Sequence, residues 1–460
     1  MSLDLGRLDA VATVGAIKDR AVSAAEYAAA LAERVVQHAE LNSLQSFDAK
    51  HVVRAAEEAF TSHPDAALAG LPIVAKDNIN TTTYPTSGGT TALLGHTPAT
   101  DAGVVQRITQ AGGFIGAKAG MHELAFGITS NNAVTGAVRN PHDPVMISGG
   151  SSGGTAAAIA AGIFPAGLGT DTGGSCRIPA ALCGVVGFRP TTGRYDSEGV
   201  VPISHTRDTV GPLARSVRDI ALFDGVLAND ASGLADIELG AVTLGVPRQM
   251  FFENLDPVVA EVVEAQLSAL SAAGARLVEV SLNAIWGHNE AFSFPVVFYE
   301  VMRGLPAYLT EHAPDVSFEA LVEGIGSPDV AAAIGSQLGD EAMPEVTYRA
   351  AMDEHRPAMR QIYGQVFENH GLDAIVFPTT PLPARPIGED ETITLNSEQA
   401  RTFPTYIRNT DLGSNIGAPG ISLPCPVSAG LPVGIEFDAM PGNDRTLLAL
   451  ARAVEKAMAP

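Results

Sequence analysis

The sequence is short of several features that would commit it to a particular class of protein. Its 460 residues include only three cysteines, one tryptophan and five lysines. Three cysteines without regular spacing do not indicate a disulfide framework or a cysteine-bound metal. No apolar run approaches the roughly 20 residues of a membrane-spanning helix. The first residues also lack the basic and apolar segments of a secretion signal. We therefore expect a cytoplasmic protein that does not act at a membrane.

Positive charge is also scarce. Lysine and arginine number 28 against 51 aspartates and glutamates, which gives a formal net charge of −23. This balance argues against nucleic acid or an anionic membrane as the main partner. Hydrophobic residues make up 46% of the chain, and glycine and proline number 47 and 30. The composition is typical of a compact α/β enzyme with many turns, and it excludes a disordered chain or a coiled coil.

Hydrophobic patterning predicts strands that alternate with helices. Ser23 and Glu26 form a capping-box pattern that opens a helix to about His38. Thr100 and Asp101 are expected to cap a second helix that ends at Gln110. Further helices are predicted at 51–60, 155–161, 257–273 and 445–458, and strands at 71–75, 114–117, 167–170, 242–246, 277–280 and 373–377. This alternation favours α/β layering.

No internal repeat or low-complexity linker divides the chain. We therefore predict one domain over residues 1–460, with a more helical and aromatic, cap-like insertion at about 285–365. Within that insertion, residues 291–299 carry four aromatic side chains. They either line an apolar pocket or belong to a core helix, and the core helix is the simpler interpretation.

Two glycine-flanked serine clusters lie close together. Residues 147–155 read ISGGSSGGT, and residues 171–175 read DTGGS. Glycine is costly to order and packs no side chain, so two such loops indicate a local function. A phosphate-binding loop requires a lysine after its last glycine, and the chain contains no Gly-Lys pair. Residues 149–153 fit the Gly-x-Ser-x-Gly elbow of Ser-His-Asp hydrolases, although the preceding apolar segment is short for a strand. The eleven histidines leave such a triad open.

His122 and Glu123 begin like a zinc-protease helix, but no second histidine follows at the required spacing. We interpret His122 as a structural hydrogen-bonding residue and expect no metal.

Lys76 stands at the end of the apolar segment 71–75. A serine hydroxyl is a weak nucleophile until a base takes its proton, and a lysine can do so only when burial keeps it neutral. The residues alone leave an even choice between a buried base and a surface lysine paired with Asp77. The glycines before Ser175 suit an oxyanion hole, because converging N–H groups need a tight turn without side chains. On composition alone, a plain glycine turn is the simpler interpretation.

Taken together, these segments resemble the amidase signature family. The matching stretches occur in order at 70–78, 121–127, 139–141, 149–154, 167–180 and 184–194. The similarity is densest over about 65–225 and weaker towards both ends. The resemblance implies an α/β fold with a central mixed, twisted sheet covered on both faces by helices.

The resemblance also implies a Ser–Ser–Lys triad. Ser175 matches the nucleophile, and Lys76 matches the base. Ser151 matches the bridging serine, which follows a cis peptide bond in the family. The family's oxyanion hole maps onto the N–H groups of Thr172, Gly173, Gly174 and Ser175. Residues that resemble those orienting the loops are Ser152, Asp171 and Arg177, for which ordinary turn hydrogen bonding is an equal explanation.

Two positions depart from the family pattern. Cys176 stands where an aliphatic residue is frequent, and we interpret it and Cys183 as packing residues. Arg189 stands where many relatives have lysine.

The implied activity is hydrolysis of amide C–N bonds, with a small-molecule amide and water as reactants and no cofactor. A homodimer is compatible with the resemblance. Residues 122–132 and 201–206 look most like those of indoleacetamide and mandelamide hydrolases, which predicts small aryl or hydrophobic amides. Anilides, esters and carbamates are open to the same triad.

Two alternatives belong to other classes. One is the glutaminase component of a tRNA-dependent amidotransferase, against which the acidic balance counts. The other is a binding protein with an inert triad, which the presence of all three triad residues disfavours.

Overall fold

A computed structural model describes residues 4–427 and 430–458. The strands are β1 Leu44–Phe47, β2 Pro72–Lys76, β3 Phe114–Ala119, β4 Asn131–Asn132, β5 Gly136–Ala137, β6 Ala166–Asp171, β7 Val186–Arg189, β8 Thr209–Ala214, β9 Thr243–Val246, β10 Arg276–Glu279, β11 Ala374–Pro378, β12 Thr392–Leu395, β13 Glu398–Arg401, β14 Gly420–Pro424 and β15 Gly434–Asp438. Eleven of them form the main sheet, in the order β1-β3-β2-β6-β8-β7-β14-β15-β11-β9-β10.

Helices surround this sheet. They are α1 Ala10–Lys18, α2 Ala24–Gln37, α3 Ala49–Ser62, α4 Gly103–Gln110, α5 Gly153–Ala160, α6 Arg177–Cys183, α7 Val217–Leu227, α8 Arg248–Phe251, α9 Pro257–Ala272, α10 Trp286–His312, α11 Phe318–Glu323, α12 Pro328–Gly335, α13 Glu345–Ala350, α14 Arg356–His370, α15 Thr402–Ile407, α16 Asp411–Ile416 and α17 Asp444–Met458. In the described ranges, no helix is both long and apolar enough to cross a membrane.

The sheet is mixed, as predicted. β2 pairs in parallel with β3 and β6, whereas β6 pairs antiparallel with β8. At the other end, β9 pairs in parallel with β10 and β11. Every residue of β2, β3, β6 and β8 is buried. Because successive side chains point to opposite faces of a sheet, complete burial means that both faces are covered. The predicted fold class is therefore confirmed.

The capping box at the start of α2 is confirmed. The Ser23 side chain accepts the N–H of Glu26, and the Glu26 carboxylate accepts the N–H of Ser23. The predicted cap of α4 is wrong, because α4 begins at Gly103 without a side-chain cap. Asp101 instead accepts the N–H and hydroxyl of Thr82. Its carboxylate is engaged by a neighbouring loop and not by the helix.

The small helix α5 leads directly from the first glycine–serine cluster. All but the last of its residues are buried, and it consists mainly of glycine and alanine. A side chain at Gly154 would place its Cβ 2.3 Å from the carbonyl oxygen of Gly120. Only glycine permits this close approach, and it brings the start of α5 against the loop that follows β3.

The chain between β10 and β11 contains five helices, α10 to α14. This part of the chain corresponds to the predicted helical insertion, with bounds a few residues later. The aromatic segment 291–299 lies within α10. Phe292 is fully buried in an apolar cluster, whereas Phe294 is 47% exposed. The segment therefore contributes to a core and also presents an aromatic side chain outside it.

Candidate active site

Two neighbouring parallel strands bring Lys76 and the second glycine–serine loop to one edge of the sheet. Lys76 is the last residue of β2, and Asp171 is the last residue of β6. These strands pair in parallel, with Ala75 opposite Leu168. Because parallel strands end at the same edge, the loops that follow them meet there. The loop that carries Ser151 packs onto this edge through α5, which contacts both strands.

Lys76 is completely buried. Its Nζ donates hydrogen bonds to Ser151 Oγ and to Thr170 Oγ1, each at 2.7 Å. Burial lowers the pKa of Lys76 to about 7, since a charged ammonium is poorly solvated in this environment. Asp77 does not pair with Lys76, because its carboxylate faces Lys118 at 3.6 Å. The structure therefore favours the buried base over the surface lysine.

Thr170 is a site residue that sequence reasoning missed. Its hydroxyl accepts hydrogen bonds from Lys76 and, at 3.1 Å, from the side-chain amide of Asn78. Thr170 lies on β6, and the contact depends on the pairing of β6 with β2. No signal in the sequence reveals that register, because Thr170 is an ordinary β-branched residue in an apolar strand.

Ser151 lies between Lys76 and the loop after β3. The peptide bond between Gly150 and Ser151 is cis. The Ser151 hydroxyl accepts from Lys76, and its backbone carbonyl accepts the N–H of His122 at 3.2 Å. The neighbouring Ser152 donates its hydroxyl to the carbonyl of Thr170 and accepts the N–H of Thr170. The first glycine–serine loop is thus bonded to β6 through Ser152.

Ser175 lies on the floor of a cavity and is 8% exposed. Its backbone carbonyl accepts the N–H of Ser152 at 3.2 Å, which joins the two loops. Within the described ranges, the Ser175 hydroxyl makes no hydrogen bond to the protein. The structure therefore links Lys76 to Ser151 through side chains, and it holds Ser175 beside them through the backbone.

The second glycine–serine loop turns around the carboxylate of Asp171. Asp171 accepts the N–H groups of Gly174 at 2.9 Å and Cys176 at 3.1 Å. Gly174 has a φ of 142°, a conformation that favours glycine. Because its N–H is engaged by Asp171, the predicted set of four oxyanion donors narrows to Thr172, Gly173 and Ser175. In the part of the chain that the structure describes, no acceptor is bonded to these three N–H groups.

Arg177 holds Asp171 from behind the loop. Its Nε and Nη2 donate to the two carboxylate oxygens at 3.1 and 3.0 Å, and its Nη1 donates to Glu436 at 2.5 Å. Burial alone would raise the pKa of Asp171, but Arg177 and Arg189 outweigh it and hold that pKa below its usual range. Asp171 is therefore a buried carboxylate with fixed hydrogen-bond partners. Ser152, Asp171 and Arg177 all make hydrogen bonds within or between these loops, and a catalytic supporting role for them stays a prediction.

Glu436 is a second residue that sequence reasoning missed. It is fully buried on β15, next to the equally buried Asp438. Burial raises the pKa of Asp438 to about 6 and moves the pKa of Glu436 above its ordinary value. Two acids in a buried strand are otherwise unexpected, and Arg177 accounts for Glu436, which accepts a hydrogen bond from its Nη1.

The cavity above Ser175 has a volume of about 1170 Å³. Its apolar lining includes Phe126, Ile203, Phe294, Val297, Phe298 and Phe403. Phe294 stacks on Phe298 with ring centroids 5.7 Å apart, and it lies 6.2 Å from the ring of Phe403. Helices α10, α12 and α15 supply much of this wall. The cavity is large enough for an aromatic ligand beside the serine.

His122 is a structural hydrogen-bonding residue, as predicted. Its Nε2 lies 2.9 Å from a carboxylate oxygen of Asp329, and Thr129 contacts its Nδ1. Glu123 accepts the N–H groups of Gly326 and Ser327. Across residues 4–427 and 430–458, no group of histidine, cysteine or acidic side chains could hold a metal ion.

Cys176 and Cys183 are buried, as expected for packing residues. Burial raises the pKa of the Cys176 thiol to about 12. Although Cys176 follows Ser175 directly, its sulfur faces the carbonyl of Gly211 and not the cavity.

The chain is similar to known proteins over most of its length. A family model described as "Amidase" matches residues 26–448. An indoleacetamide hydrolase of Rhizobium radiobacter is 41% identical over 445 residues, which cover 96% of this chain and 95% of the relative. A mandelamide hydrolase of Pseudomonas putida is 38% identical, with 95% and 89% covered.

Solved structures share the whole fold. The crystal structure of an amidase aligns with a TM-score of 0.88 at 34% identity and covers 98% of this chain and 100% of that one. The peptide amidase from Stenotrophomonas maltophilia aligns at 0.82 with 25% identity, covering 99% and 98%. A glutamyl-tRNA(Gln) amidotransferase component from Thermotoga maritima aligns at 0.79 with 25% identity, covering 100% and 98%.

Proposed function

The chain belongs to the amidase family, and from this membership we propose that it hydrolyses small aryl or other hydrophobic amides through Lys76, Ser151 and Ser175. Hydrolysis of amide C–N bonds is the reaction of the family and of its similar relatives. One observation carries the assignment of residues: the buried Nζ of Lys76 lies 2.7 Å from Ser151 Oγ, beside a cavity that Ser175 lines.

The proposed first step is a proton relay. Neutral Lys76 accepts the proton of Ser151, and Ser151 accepts the proton of Ser175. Ser175 Oγ then attacks the carbonyl carbon of the amide. Because burial lowers the pKa of Lys76 to about 7, a large share of the lysine is neutral near neutral pH. Catalytic hydrogen bonds often tighten only when substrate binds, and we propose that the contact between Ser151 and Ser175 does so.

The attack places a negative charge on the carbonyl oxygen. We assign the N–H groups of Thr172, Gly173 and Ser175 as its donors, and one such donor is typically worth about 3 kcal/mol. Ser151 then gives a proton to the leaving nitrogen, the C–N bond breaks and the amine departs. Water attacks the acyl ester on Ser175 through the same relay, releasing the acid and returning the proton to Ser175.

The cavity supports the proposed substrate class. Its aromatic wall, formed by Phe294, Phe298 and Phe403, suits an aryl or other apolar acyl group. The similar relatives are named for indoleacetamide and mandelamide, which are both aryl amides. Anilides, esters and carbamates expose a carbonyl to the same attack, and we include them as secondary candidates. We further propose that the helical region 286–370 acts as a cap, because α10 and α12 contribute to this wall.

The amidotransferase alternative is less supported. Its structural relative is 25% identical to this chain, whereas a hydrolase relative is 41% identical. The net charge of −23 also disfavours a role beside tRNA. We propose that the chain works without nucleic acid and without a cofactor.

Kinetics of the purified chain test the proposal. We expect turnover of primary aryl amides, and losses of about 10⁴-fold or more for Ser175→Ala and Lys76→Met, since the relay acts as a unit. A fluorophosphonate should label wild type at Ser175. Undiminished turnover in Ser175→Ala would contradict the mechanism. Size-exclusion chromatography of the same sample measures whether the chain forms a homodimer. Turnover of glutamine alone would support the alternative.

A further inference from the structure

In the loop that carries the proposed oxyanion donors, each carbonyl group from residue 171 to residue 174 is fixed by its own hydrogen bond. The first three bond to side chains from other segments, and the last bonds to an N–H in the first turn of α6. The pairs are Asp171 with Arg189 Nη1 at 2.5 Å, Thr172 with Arg207 Nε at 3.2 Å, Gly173 with Thr410 Oγ1 at 2.6 Å and Gly174 with the N–H of Ile178 at 2.8 Å.

Peptide geometry converts these contacts into a direction for the N–H groups. In a trans peptide, the carbonyl of one residue and the N–H of the next lie in one plane and point to opposite sides. A donor that holds the carbonyl of Thr172 therefore turns the N–H of Gly173 the other way. Three residues of the loop, Thr172, Gly173 and Ser175, have N–H groups with no acceptor among residues 4–427 and 430–458, and all three line the cavity.

Arg207 is a rigid donor for the carbonyl of Thr172. It is 2% exposed, and its guanidinium is held on two further sides. Nη2 donates to Asp411 at 2.7 Å, and Nη1 donates to the carbonyl of Ser293 at 3.0 Å. A planar guanidinium that donates to three fixed partners cannot rotate without breaking at least one of these hydrogen bonds. The plane of the peptide between Thr172 and Gly173 is fixed in consequence.

Thr410 and Asp171 together fix the next peptide, between Gly173 and Gly174, at both of its ends. The Thr410 hydroxyl holds the carbonyl of Gly173, and the N–H of the same peptide, from Gly174, donates to Asp171. Thr410 is fully buried and packs directly on Gly174, where an added Cβ would lie 2.2 Å from Thr410 Oγ1. The turn between Gly173 and Ser175 therefore cannot rotate without breaking contacts on both sides.

We propose that Arg207 and Thr410 are positioning residues of the oxyanion hole. Arg207 aims the N–H of Gly173 by holding the carbonyl of Thr172, and Thr410 fixes the peptide between Gly173 and Gly174, which separates this donor from the N–H of Ser175. The inference rests on the proposed function. Thr410 is not part of the cavity lining, whereas Arg207 lines the cavity and bonds the loop through the carbonyl of Thr172. In this proposal, each acts by preorganising donors that would otherwise need to reorient during the reaction. The effect belongs to the tetrahedral intermediate and not to binding of the neutral amide.

The matched pair Thr410→Val and Thr410→Ser tests this inference. Valine keeps the shape and removes the hydroxyl, whereas serine keeps the hydroxyl. The probes are an aryl trifluoromethyl ketone and the corresponding alcohol. The ketone accepts Ser175 Oγ at its carbonyl carbon and becomes an oxyanion, while the alcohol fills the same cavity without an oxyanion. Thr109→Val is the control, because Thr109 donates its hydroxyl to a helix carbonyl in α4.

In Thr410→Val we expect kcat and ketone affinity to fall together by about tenfold or more, while alcohol affinity changes by less than about twofold. Thr410→Ser should recover most of this loss, and Thr109→Val should match wild type. Arg207→Lys replaces the planar guanidinium by a single ammonium, and it should likewise lower ketone affinity more than alcohol affinity. If Arg207→Lys does not fold, the two Thr410 variants alone test the inference. Unchanged ketone affinity in Thr410→Val, or equal losses for ketone and alcohol, would overturn the inference. A wild-type chain with no amide turnover and no Ser175-dependent ketone binding would instead contradict the proposed function itself.

Discussion

Two of the five lysines are fully buried, and their partners differ. Among the described residues, Lys76 hydrogen-bonds only to hydroxyl groups, whereas Lys118 faces the carboxylate of Asp77 and donates to the carbonyl of Ile79 and to Thr86. Burial lowers the pKa of both, to about 7 for Lys76 and about 8 for Lys118. A lysine without a paired carboxylate loses its proton most readily, which suits Lys76 for the role of base and Lys118 for a structural one.

The pKa of Lys76 predicts the acid side of the pH–rate profile. The base works only when neutral, and lowering the pH below about 7 adds the proton that disables it. We expect kcat/KM to fall about tenfold per pH unit below this pKa and to level off above it, measured from about pH 5.5 to 9. A profile that stays flat down to about pH 5.5 would contradict a lysine base of this pKa.

The cysteines predict resistance to thiol reagents. All three are buried, and burial raises the pKa values of Cys176 and Cys425 to about 12. Since the thiolate is the reactive form, iodoacetamide at mildly alkaline pH should leave activity unchanged. Mass spectrometry of native and urea-unfolded samples measures the alkylation. Fast modification of Cys176 in the native protein, with parallel loss of activity, would refute this expectation.

Sequence reasoning named the proposed triad, the oxyanion donors and three residues that orient the loops, but not the other residues that support them. The triad came from an ordered series of matching stretches, which a single glycine loop could not have supplied. Thr170, Glu436, Arg207 and Thr410 carry no comparable signal. Arg177 and Glu436 lie 259 positions apart, and Thr410 and Gly173 lie 237 apart. Contacts of that separation depend on the finished fold, because local composition is the same whether or not the partner exists.

At the scale of elements, residues 122–123 connect a wall of the cavity to the loop that carries Ser151. His122 donates its N–H to the carbonyl of Ser151, and its ring bonds Asp329 in the first turn of α12. Glu123 accepts the two N–H groups that precede α12, from Gly326 and Ser327. Helix α12 therefore has a defined position relative to Ser151, although it lies about 200 residues further along the chain.

Weakening the hydrogen bonds that position α12 should affect substrate binding more than the chemical step. Glu123→Gln exchanges the carboxylate for a neutral amide and loses one strong acceptor for the N–H groups at α12, at a cost of about 1.5–3 kcal/mol. We expect KM for an aryl amide to rise several-fold, with kcat changed less.

Glu319→Gln is the matched control, since Glu319 is exposed in α11. Steady-state kinetics of the three proteins measure the split. A large fall in kcat at constant KM would show that Glu123 acts on the chemical step and not on the wall.

The predicted elements succeed where local patterns dominate and fail where they do not. The helix α9 and the strand β2 lie within a few residues of their predictions, because each shows a clear hydrophobic pattern. The strand β8 was missed, since its sequence TVGPLA contains glycine and proline. It is fully buried between β6 and β7, so tertiary pairing outweighs its weak propensity.

At the scale of the whole molecule, the C-terminal helix closes the structure. α17 packs against α7 and α9. Asp224, fully buried on α7, accepts hydrogen bonds from Arg194, Tyr195 and Arg445, the last of which lies on α17. One carboxylate thus joins three segments that are far apart in sequence.

Removing that charge should destabilise the fold. In Asp224→Asn, two arginines lose their buried partner, and we expect a loss of about 2 kcal/mol in the free energy of unfolding. Thermal melts should show a lower transition temperature, with kcat of the surviving enzyme close to wild type. Asp236→Asn is the control, because it breaks an exposed ion pair with Arg452 of α17. The free energy of unfolding should change little in this variant. Equal melting temperatures for both variants would contradict this account.

Lys76, Ser151 and Ser175 fall within one hundred consecutive positions, whereas α10, α12 and α15 supply much of the cavity wall from beyond residue 286. Chimeras that join the first half of this chain to the second half of a relative would accordingly inherit the reacting groups from one parent and substrate preference from the other. The junction has one constraint. Thr410 and Asp411 come from the second parent. The hybrid would therefore keep its turnover only if that parent has threonine and aspartate at these two positions.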